Sequence, residues 1–573
     1  MSLAMKCLIA CLGIVTSLCQ AQTPNSPRLP QDIPQERQVA PRDLPLSIDR
    51  DRFPEQVPAG AAELIFHLDA IELDGNKTLP TSQFEPLWSD LLGKDIPLSA
   101  IFGIAARISS AYREAGYVLS QALVPRQEIS QRDGRVRIRV AEGYISRITI
   151  TPGIPGGDRI QAMLTPLTIE RPLTLATLER GLLLLNDLPG VRAQASLRAS
   201  EAENAADLEL VVEQAPMAYS LSGSNRVPIA VGPLQFEASA ERRGLFGAFD
   251  RHVLRWVGSA SARLNVLAYN GDVPVGYDGA LVSWSASASR ANPSSGETFN
   301  LDTRSENYSV GASYPIIRSR AANLGVRGTL LVYNGSSDIT AGENLARDRF
   351  RSFRIGLTAD LTDSLGGVNL VDVEFAKGLS GLGASQQGDP LLGRLGTNPQ
   401  FSKGTLYAAR LQSLGGEFSL LLAVTAQASG DILPSSEQFS LGGDLFLRAF
   451  DASELLGDRG QAGKAEFRYN FATGPLASTL YAYYDSGRLT VHNIDGSQTN
   501  TSAISTGLGV RLSGPRGIRG YIEVAKPGKR PTIRRTLWTL CRLLSALHVP
   551  TVAQLVADLV WRSIRFVGRY CNC

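Results

Sequence analysis

AYREAGYVLSQALVPRQEISQRDGRVRIRVAEGYISRI, residues 111–148, carries the strongest fold signal in this chain. The segment predicts the end of a helix, a glycine turn, a strand, a polar loop and a second strand, which continues through Glu142 into a third strand. In the second strand Val136, Ile138 and Val140 alternate with three arginines. One face of this strand is therefore apolar and the other is cationic and solvated, as is typical of a half-buried sheet.

The sequence on both sides of this segment completes two similar α+β units. Before the segment lie an apolar strand and two predicted helices, near 82–92 and 98–115. The second of these helices has apolar residues at helical spacing, which places one of its faces against a sheet. After Tyr144 the same order of strand, helix, helix, strand and strand recurs. We therefore predict a first unit at 63–142 and a second unit at 143–215.

The pattern of the chain changes after the second unit. Up to about Ala525, segments of roughly ten residues alternate apolar side chains with small or polar ones. Eleven such segments precede Ala428, a long irregular loop at 428–461 follows, and four more segments come after it. One face of each segment would meet lipid and the other a wet interior, which predicts a transmembrane barrel at 216–527. A soluble β-sandwich shares this alternation and is the alternative from the pattern alone.

The 111–148 segment and the element order around it resemble the POTRA domain (polypeptide-transport-associated) of the outer-membrane assembly superfamily. In particular, they are similar to the two-partner secretion translocators of the hemolysin-activator type. The resemblance implies two α+β POTRA domains in the periplasm, followed by an all-β transmembrane barrel of sixteen strands in the outer membrane of a Gram-negative bacterium. It also implies a partner exoprotein, hemolysin-like or adhesin-like, that is bound through its N-terminal secretion domain. Outer-membrane lipid and the barrel assembly machinery are the other implied partners.

The long loop contains residues that the resemblance singles out. LGGDLFLRAF, residues 441–450, is similar to the loop signature of these translocators, in which two glycines are followed by Val-Arg-Gly-Tyr. The matching positions are Gly442, Gly443 and Arg448, with Phe450 as an aromatic substitute for the tyrosine. Leu447 and Ala449 replace the usual Val and Gly. The resemblance implies that this loop folds back into the barrel, where its arginine meets an acidic residue on an inward-facing strand.

A second motif supplies that acidic residue. YYDSG, residues 483–487, resembles the aromatic-x-Asp-x-Gly motif of the same family, with Asp485 and Gly487 at the matching positions. A guanidinium inside a barrel requires a carboxylate that accepts two parallel hydrogen bonds, so a pair of Arg448 and Asp485 would fix the direction of the loop. Taken singly, a wet surface arginine and a turn aspartate are the ordinary interpretations. The two motifs in this order, after eleven predicted strands, favour a site inside the barrel.

The N-terminus predicts export from the cytoplasm. Residues 1–21 combine Lys6, an apolar run and a small-x-small cleavage site, which is typical of a secretory signal peptide. Residues 22–62 are rich in proline and polar residues and predict an extended linker, without a good helix for the pore plug that the resemblance implies. The six cysteines lie at positions 7, 11, 19, 541, 571 and 573. Core packing and sheet closure must therefore hold the fold between residues 20 and 540.

Composition and motifs argue against other classes of function. The net charge is +3 and charged residues make up 19% of the chain without clustering, which argues against a nucleic-acid-binding protein. Outside the signal peptide no apolar run is long enough to predict a transmembrane helix. The four histidines are scattered, and no metal-binding, nucleophile or phosphate-binding motif appears. We therefore predict a protein without catalytic activity and without a cofactor.

The tail at 528–573 departs from the family pattern. A barrel of this kind should end in a strand with a terminal aromatic residue, whereas Thr532–Cys573 is basic and predicted to be helical. A shifted reading frame and a gene fusion are both compatible with this change. Without a closing strand, two barrel edges would expose backbone groups to lipid. The alternating segment Ile564–Tyr570 is a candidate substitute for the last strand.

These features predict a translocator that moves a partner exoprotein from the periplasm to the cell surface by two-partner secretion. An outer-membrane protein assembly factor, which inserts other barrels, is the alternative from another class. Two POTRA domains and a Pro-rich linker favour secretion over assembly. A simple porin is disfavoured because a porin has no periplasmic domains of this kind.

Overall fold

The computed structural model describes most of the chain between residues 57 and 529. The described ranges are 57–130, 134–151, 153–226, 228–232, 234–247, 249–293, 301–339 and 344–529, together with the backbone of two short strands, β1 (Leu46–Ile48) and another at Arg542–Leu547. The predicted signal peptide, the rest of the predicted linker before residue 57 and the remainder of the tail lie outside the described residues.

The first α+β unit is a four-stranded sheet covered by one helix. Its elements are β2 (Ile65–Asp74), β3 (Lys94–Pro97), α1 (Leu98–Glu114), β4 (Gln121–Leu123) and β5 (Gly134–Ala141). The sheet order is β3-β2-β5-β4, with β2 and β5 parallel. Val136, Ile138 and Val140 are buried in one core with Ile104 and Ile108 of α1. The three alternating arginines of β5 are exposed, so the predicted alternation is confirmed.

The predicted helix near 82–92 is wrong. This segment forms three short 3-10 turns, Thr81–Gln83, Glu85–Leu87 and Ser89–Leu91. Pro86 lies in the middle of the segment and lacks the N–H group that an α-helix would need there. Phe84 and Trp88 are nevertheless buried in the core of the first unit. The apolar spacing therefore indicated burial correctly but not the type of helix.

The second unit has the element order strand, helix, helix, strand, strand. Its elements are β6 (Tyr144–Ile150), α2 (Gly157–Ile169), α3 (Leu175–Asp187), β7 (Val191–Ala199) and β8 (Ala205–Gln214). Helix α3 begins after Thr174, whose Oγ1 accepts a hydrogen bond from the Thr177 amide at 3.3 Å. Leu178, Leu182 and Leu185 of α3 are buried against the sheet. Packing of this apolar face contributes most of the stability of such a short helix.

Part of the predicted linker belongs to the second unit. Strand β1 pairs in parallel with β7, with Leu46 opposite Ala195 and Ile48 opposite Leu197. The sheet order is therefore β1-β7-β8-β6. Three residues of the predicted extended linker therefore form a strand of this sheet. An uncovered β7 would present a row of unpaired backbone groups, and an extended segment of the same chain pairs with them.

Among the described residues, sixteen antiparallel strands form a closed barrel after the second unit. The strands in chain order, including two short ones that stand outside the barrel wall (β20 and β21), are β9 (Met217–Ser224), β10 (Gln235–Arg243), β11 (Arg251–Ser259), β12 (Leu264–Val275), β13 (Ala280–Ala291), β14 (Leu301–Arg318), β15 (Ala322–Ile339), β16 (Asn344–Thr362), β17 (Gly367–Leu379), β18 (Ser402–Gly415), β19 (Phe418–Ser429), β20 (Phe439–Leu441), β21 (Leu455–Gly457), β22 (Arg459–Thr473), β23 (Leu476–His492), β24 (Gln498–Ser513), β25 (Ile518–Lys529) and β26 (Arg542–Leu547). The predicted fold class, α+β units followed by an all-β barrel, is confirmed, with eleven wall strands before the long loop and four after it before the tail.

The barrel strands separate apolar and polar side chains onto opposite faces. Large apolar side chains that are exposed on the outer face include Leu254, Trp256, Leu330, Phe353, Ile355, Leu357, Val371, Val373, Phe375, Phe467 and Leu508. Residues that alternate with them, such as Asp372 and Glu374, point into the barrel and form ion pairs there. This arrangement is that of a barrel with an apolar belt and a wet interior. In the part of the chain that the structure describes, every helix falls short of the length and hydrophobicity that a membrane span requires.

The closing strand of the barrel comes from the tail. Strand β26 pairs with β25 at six positions and with β9 at three, from Ser545 opposite Gly223 to Leu547 opposite Leu221. The barrel therefore continues beyond the predicted boundary at residue 527, and the prediction of a helical tail is wrong for these residues. Closure satisfies backbone groups that two open edges would leave without partners in lipid. The other candidate strand, Ile564–Tyr570, lies outside the described residues.

The loop between β19 and β22, residues 430–458, folds into the barrel and is called the inward loop below. It contains a 3-10 turn at Ser435–Glu437 and forms a hairpin in which β20 pairs with β21. Its side chains Leu441, Phe446, Leu447 and Phe450 are buried. They form one apolar cluster with wall residues, among them Leu421, Ala462 and Ala503. The loop is therefore packed against the inner wall as a small core of its own.

Helix α3 of the second unit is bonded to two turns at the near end of the barrel. Arg318 donates two hydrogen bonds to the Asp187 carboxylate, at 2.6 and 2.7 Å. Arg320 donates from Nε to Glu179 at 2.7 Å. Arg180 of α3 donates to the carbonyl group of Asp278 in the β12–β13 turn and to those of Pro315 and Ile316 near the end of β14, at 3.1 to 3.3 Å. These contacts fix the second unit under strands β12 to β15.

Candidate functional site inside the barrel

Two glycines shape the tip of the inward loop. Gly442 and Gly443 have φ angles of 107° and 96°, in a region that other residues rarely adopt. Their amides donate to the carbonyl groups of Phe446 and Phe450, both at 3.1 Å. A Cβ atom on Gly442 would lie 2.0 Å from the Asp451 carbonyl oxygen. Both glycines are therefore required for the tight fold that presents the following arginine.

Arg448 is the best-connected residue of the loop tip. Its Nη2 and Nε donate to the two carboxylate oxygens of Asp485, at 2.9 and 3.1 Å, and its backbone amide donates to the same group at 3.1 Å. Its Nη1 donates to Glu466 at 2.5 Å. The guanidinium also lies over the Tyr483 ring, 3.4 Å from its centroid. Arg448 is 2% exposed, so this paired charge is held away from bulk solvent.

The acidic wall residues that pair with Arg448 lie on the neighbouring strands β22 and β23, at positions that face the lumen. Asp485 of β23 is fully buried and also accepts a hydrogen bond from Ser505 Oγ at 3.2 Å. Glu466 of β22 is equally buried and accepts from Arg511 at 2.6 and 3.1 Å and from Arg468 at 2.8 Å. Such a network of buried charges is stable only because each carboxylate is paired and hydrogen-bonded.

Gly487 and Phe450 complete the set of predicted site residues. Gly487 faces the lumen two residues after Asp485, and a Cβ atom there would lie 2.7 Å from a Leu441 methyl group and 3.2 Å from a Leu447 methyl group. Phe450 is 1% exposed in the apolar cluster of the loop, and its amide donates to the Leu447 carbonyl at 2.9 Å. The structure thus brings all six predicted site residues, Gly442, Gly443, Arg448, Phe450, Asp485 and Gly487, to one place.

Two further anchors hold the ends of the inward loop. Near its start, Glu437 pairs with Arg354 of β16 at 2.6 Å and with Lys403 of β18 at 2.7 Å. At its end, the fully buried Asp458 accepts hydrogen bonds from Arg394 at 2.5 and 2.7 Å. Sequence reasoning missed these anchors and also missed Glu466. The alternation of β22 identifies Glu466 as an inward residue, and this signal could have indicated it.

The contacts around Arg448 can hold the inward loop in position, and the positive and negative side chains at this site pair with one another. Among the residues that the structure describes, no group of three or more His, Cys, Asp and Glu side chains has a geometry suited to a metal ion. The apolar hairpin β20–β21 occupies part of the lumen.

Comparison with known proteins gives consistent relatives. Residues 207–512 match the family described as haemolysin secretion/activation protein ShlB/FhaC/HecB, and residues 66–143 match the POTRA domain of ShlB type. The heme/hemopexin transporter protein HuxB of Haemophilus influenzae (strain 86-028NP) is 23% identical over 482 residues, covering 81% of this chain and 84% of that protein. The outer membrane transporter CdiB of Escherichia coli O6:K15:H31 (strain 536 / UPEC) is 23% identical and covers 78% of this chain and 76% of its own length.

Solved structures share the fold. CdiB from Escherichia coli superposes with a TM-score of 0.68 at 20% identity, covering 86% of this chain and 92% of that chain. BamA from Haemophilus ducreyi lacking POTRA domains 1–3 superposes with a TM-score of 0.51 at 10% identity, covering 84% of this chain and 100% of that chain. At these identities the likeness establishes the architecture alone, and it is weaker for BamA.

A closed barrel with an outer apolar belt, an N-terminal POTRA domain and a loop folded into its lumen defines an outer-membrane transporter with a periplasmic portion. The family match covers more than half of the chain. The chain belongs to the haemolysin secretion/activation protein family, and it is an outer-membrane translocator that secretes a partner exoprotein to the cell surface. The predicted resemblance, function and localisation are confirmed by these matches.

Proposed function

We propose that the ion pair between Arg448 and Asp485 holds the inward loop in the position from which secretion begins. The single observation that carries this proposal is the bidentate contact between two groups that are at most 2% exposed, in the lumen of the barrel. The partner exoprotein has to pass this lumen, and the docked loop occupies part of it. Arg448, Asp485 and Glu466 would fix the loop against the wall, with Gly442, Gly443 and Gly487 giving it room.

The two α+β units are proposed to be POTRA domains at 63–142 and 143–215, which bind the N-terminal secretion domain of the exoprotein. An extended segment can add as a strand to an open sheet edge, where backbone hydrogen bonds supply affinity. In the second unit β1 covers the β7 side, and β6 is the other edge strand. In the first unit β4 and β3 are the edge strands. We infer that capture of the exoprotein uses these edge strands. The transmembrane barrel is proposed to comprise residues 216–527 and the additional strand β26.

The protein is proposed to work without catalysis. The family consists of transporters, and the charged side chains around Arg448 pair with one another, which supports a positioning role. Outer-membrane lipid is the proposed environment of the apolar belt, and the barrel assembly machinery is the proposed insertion partner. The alternative, a factor that inserts other barrels, rests on the weaker likeness to BamA.

The decisive variant for the proposed lock is Arg448→Ala. We expect secretion of the exoprotein to fall at least roughly tenfold, since removing one partner of a buried ion pair costs about 3–5 kcal/mol. Secretion is measured as exoprotein in the medium, with barrel insertion followed by heat-modifiable gel mobility. Arg488→Ala is the matched control, because Arg488 lies on the same β23 strand but faces outward.

Unchanged secretion with Arg448→Ala would contradict the lock. Loss of outer-membrane barrels in general, with normal secretion of the exoprotein, would support the assembly-factor alternative. The control should leave both readouts unchanged.

A further inference from the structure

A second buried arginine, Arg226, contacts the back of the loop tip. It follows β9, the first barrel strand, and is 4% exposed. Its Nη1 donates to the backbone carbonyl of Arg448 at 2.7 Å, and its Nη2 donates to Glu523 of β25. Its Nε lies 3.3 Å from an Asp444 carboxylate oxygen, and Asp444 belongs to the inward loop. One side chain therefore contacts the loop at two places and the barrel wall at a third.

These contacts cross the seam at which the barrel closes. Arg226 is attached to β9, whereas Glu523 lies on β25, and β26 stands between these two strands. The β26–β9 contact contains three residue pairs, compared with eight between β9 and β10. The seam therefore has few backbone hydrogen bonds. The ion pair of Arg226 and Glu523 spans the seam on the lumen side.

The acceptor Glu523 is itself built into the site. It is 2% exposed and accepts hydrogen bonds from the hydroxyl groups of Tyr481 and Tyr483, both at 2.9 Å. Arg448 Nη1 lies 3.8 Å from the same carboxylate, so Arg226 and Arg448 share one buried anion. An arginine suits this place because its five N–H donors lie in a fixed plane and can serve several acceptors at once.

We infer that Arg226 is a positioning residue for translocation, which ties the tip of the inward loop to both sides of the barrel seam. This inference rests on the lock proposed for Arg448 and Asp485, and it adds a second attachment that originates from the first strand. Release of the loop then requires breaking the Arg226 contacts as well as the Arg448 pair. Opening of the seam and release of the loop are coupled through one guanidinium.

The test measures whether the loop leaves the lumen. Intact cells carrying full-length variants are treated with a protease that cuts after aromatic residues, and cleavage after Phe446 or Phe450 is identified by fragment mass. With Arg226→Ala we expect the cleavage rate to rise roughly tenfold or more, since buried hydrogen bonds to charged groups contribute at least one order of magnitude to such an equilibrium. The opening frequency of the purified protein in planar bilayers should rise in parallel. Arg226→Lys should restore part of the protection, because it keeps the charge but not the fork of donors.

Arg263→Ala is the matched control, because Arg263 is an exposed arginine in the turn between β11 and β12. Glu523→Gln tests the same contact from the wall side and covers the case in which Arg226→Ala loses heat-modifiable mobility. Cleavage at the control level in both Arg226→Ala and Glu523→Gln, with a rise in Arg448→Ala, would overturn this inference and leave the lock standing. No rise in any of the three variants would overturn both. A rise in Arg226→Ala without one in Arg448→Ala would support the role of Arg226 and remove that of the lock.

Discussion

The lumen of this barrel has two walls with opposite chemistry. The inward residues of β13 and β14 include a run of short hydroxyl and amide side chains, here called the serine wall: Ser283, Ser285, Ser287, Ser289, Thr303, Ser305, Asn307 and Ser309. The inward residues of β22 to β25 include a group of large ionised or aromatic side chains, here called the charged wall: Glu466, Tyr481, Tyr483, Asp485, Arg511 and Glu523. Both walls obey the same two-residue alternation.

The difference between the walls shows what each can hold. On the serine wall, hydroxyl groups satisfy one another across strands, as in Ser285 with Ser309 and Ser289 with Ser305, both at 2.7 Å. These side chains protrude little. On the charged wall the carboxylates need cations, and the inward loop supplies Arg448. The inward loop is therefore docked on the charged wall, where Arg448 pairs with buried carboxylates.

The largest effect should come from the charged wall. We expect Asp485→Ala to weaken docking of the inward loop by about 3–5 kcal/mol, because it leaves the buried Arg448 without its bidentate partner. Hydrogen exchange at residues 442–450 measures this loss. The matched control is Asp302→Ala on β14, whose partners Arg290 and Arg304 are largely exposed. Loss of this exposed ion pair should change the free energy of loop docking by about 1 kcal/mol or less. Equal exchange in the two variants would contradict the role of the buried Arg448–Asp485 pair in docking the loop.

A smaller effect should follow when the space for the loop is filled. In Gly487→Ala the new methyl group would lie 2.7 Å from Leu441 and 3.2 Å from Leu447, so the loop has to shift. Overpacking of this kind costs about 1–3 kcal/mol. The measurement is protease cleavage within the inward loop. Gly404→Ala serves as the control, since a Cβ atom there meets nothing within 4 Å. A protected loop in Gly487→Ala would mean that Leu441 and Leu447 repack freely.

The smallest effect should come from the serine wall. Ser285→Ala removes one hydrogen bond to Ser309, which contributes about 0.5–1.5 kcal/mol. The double variant Ser285→Ala/Ser309→Ala should be closer to neutral, since neither partner is then left without the other. Secretion should be unchanged in both, as measured by exoprotein in the medium. A strong secretion defect here would show that hydroxyl groups, and not only the charged wall, determine passage.

The features that the sequence predicts well are local ones. The alternation of Val136, Ile138 and Val140 appears directly as a buried face, because strand pleating alone determines which side a residue takes. Arg448 and Asp485 are predicted from two short motifs, one within the inward loop and the other within strand β23. The count of barrel strands up to Lys529 depends on the same local alternation.

The features that the sequence hides depend on closure. Arg226 and Glu523 are 297 positions apart and meet only because the first and last parts of the sheet come together. Strands β1 and β26 have weak patterns of their own and are extended because a sheet edge is available to each. The turns around Pro86 are predicted as a helix because the spacing of apolar residues indicates only which side chains are buried. That spacing does not show that proline prevents the backbone from forming an α-helix.

The docking of α3 has a mechanical consequence. Arg180, Asp187 and Glu179 connect this helix to the β12–β13 turn, to the end of β14 and to the β14–β15 turn. Any displacement of the second unit has to carry these turns with it. A force on a polypeptide held at the second unit is thus transmitted to the side of the barrel that carries the serine wall.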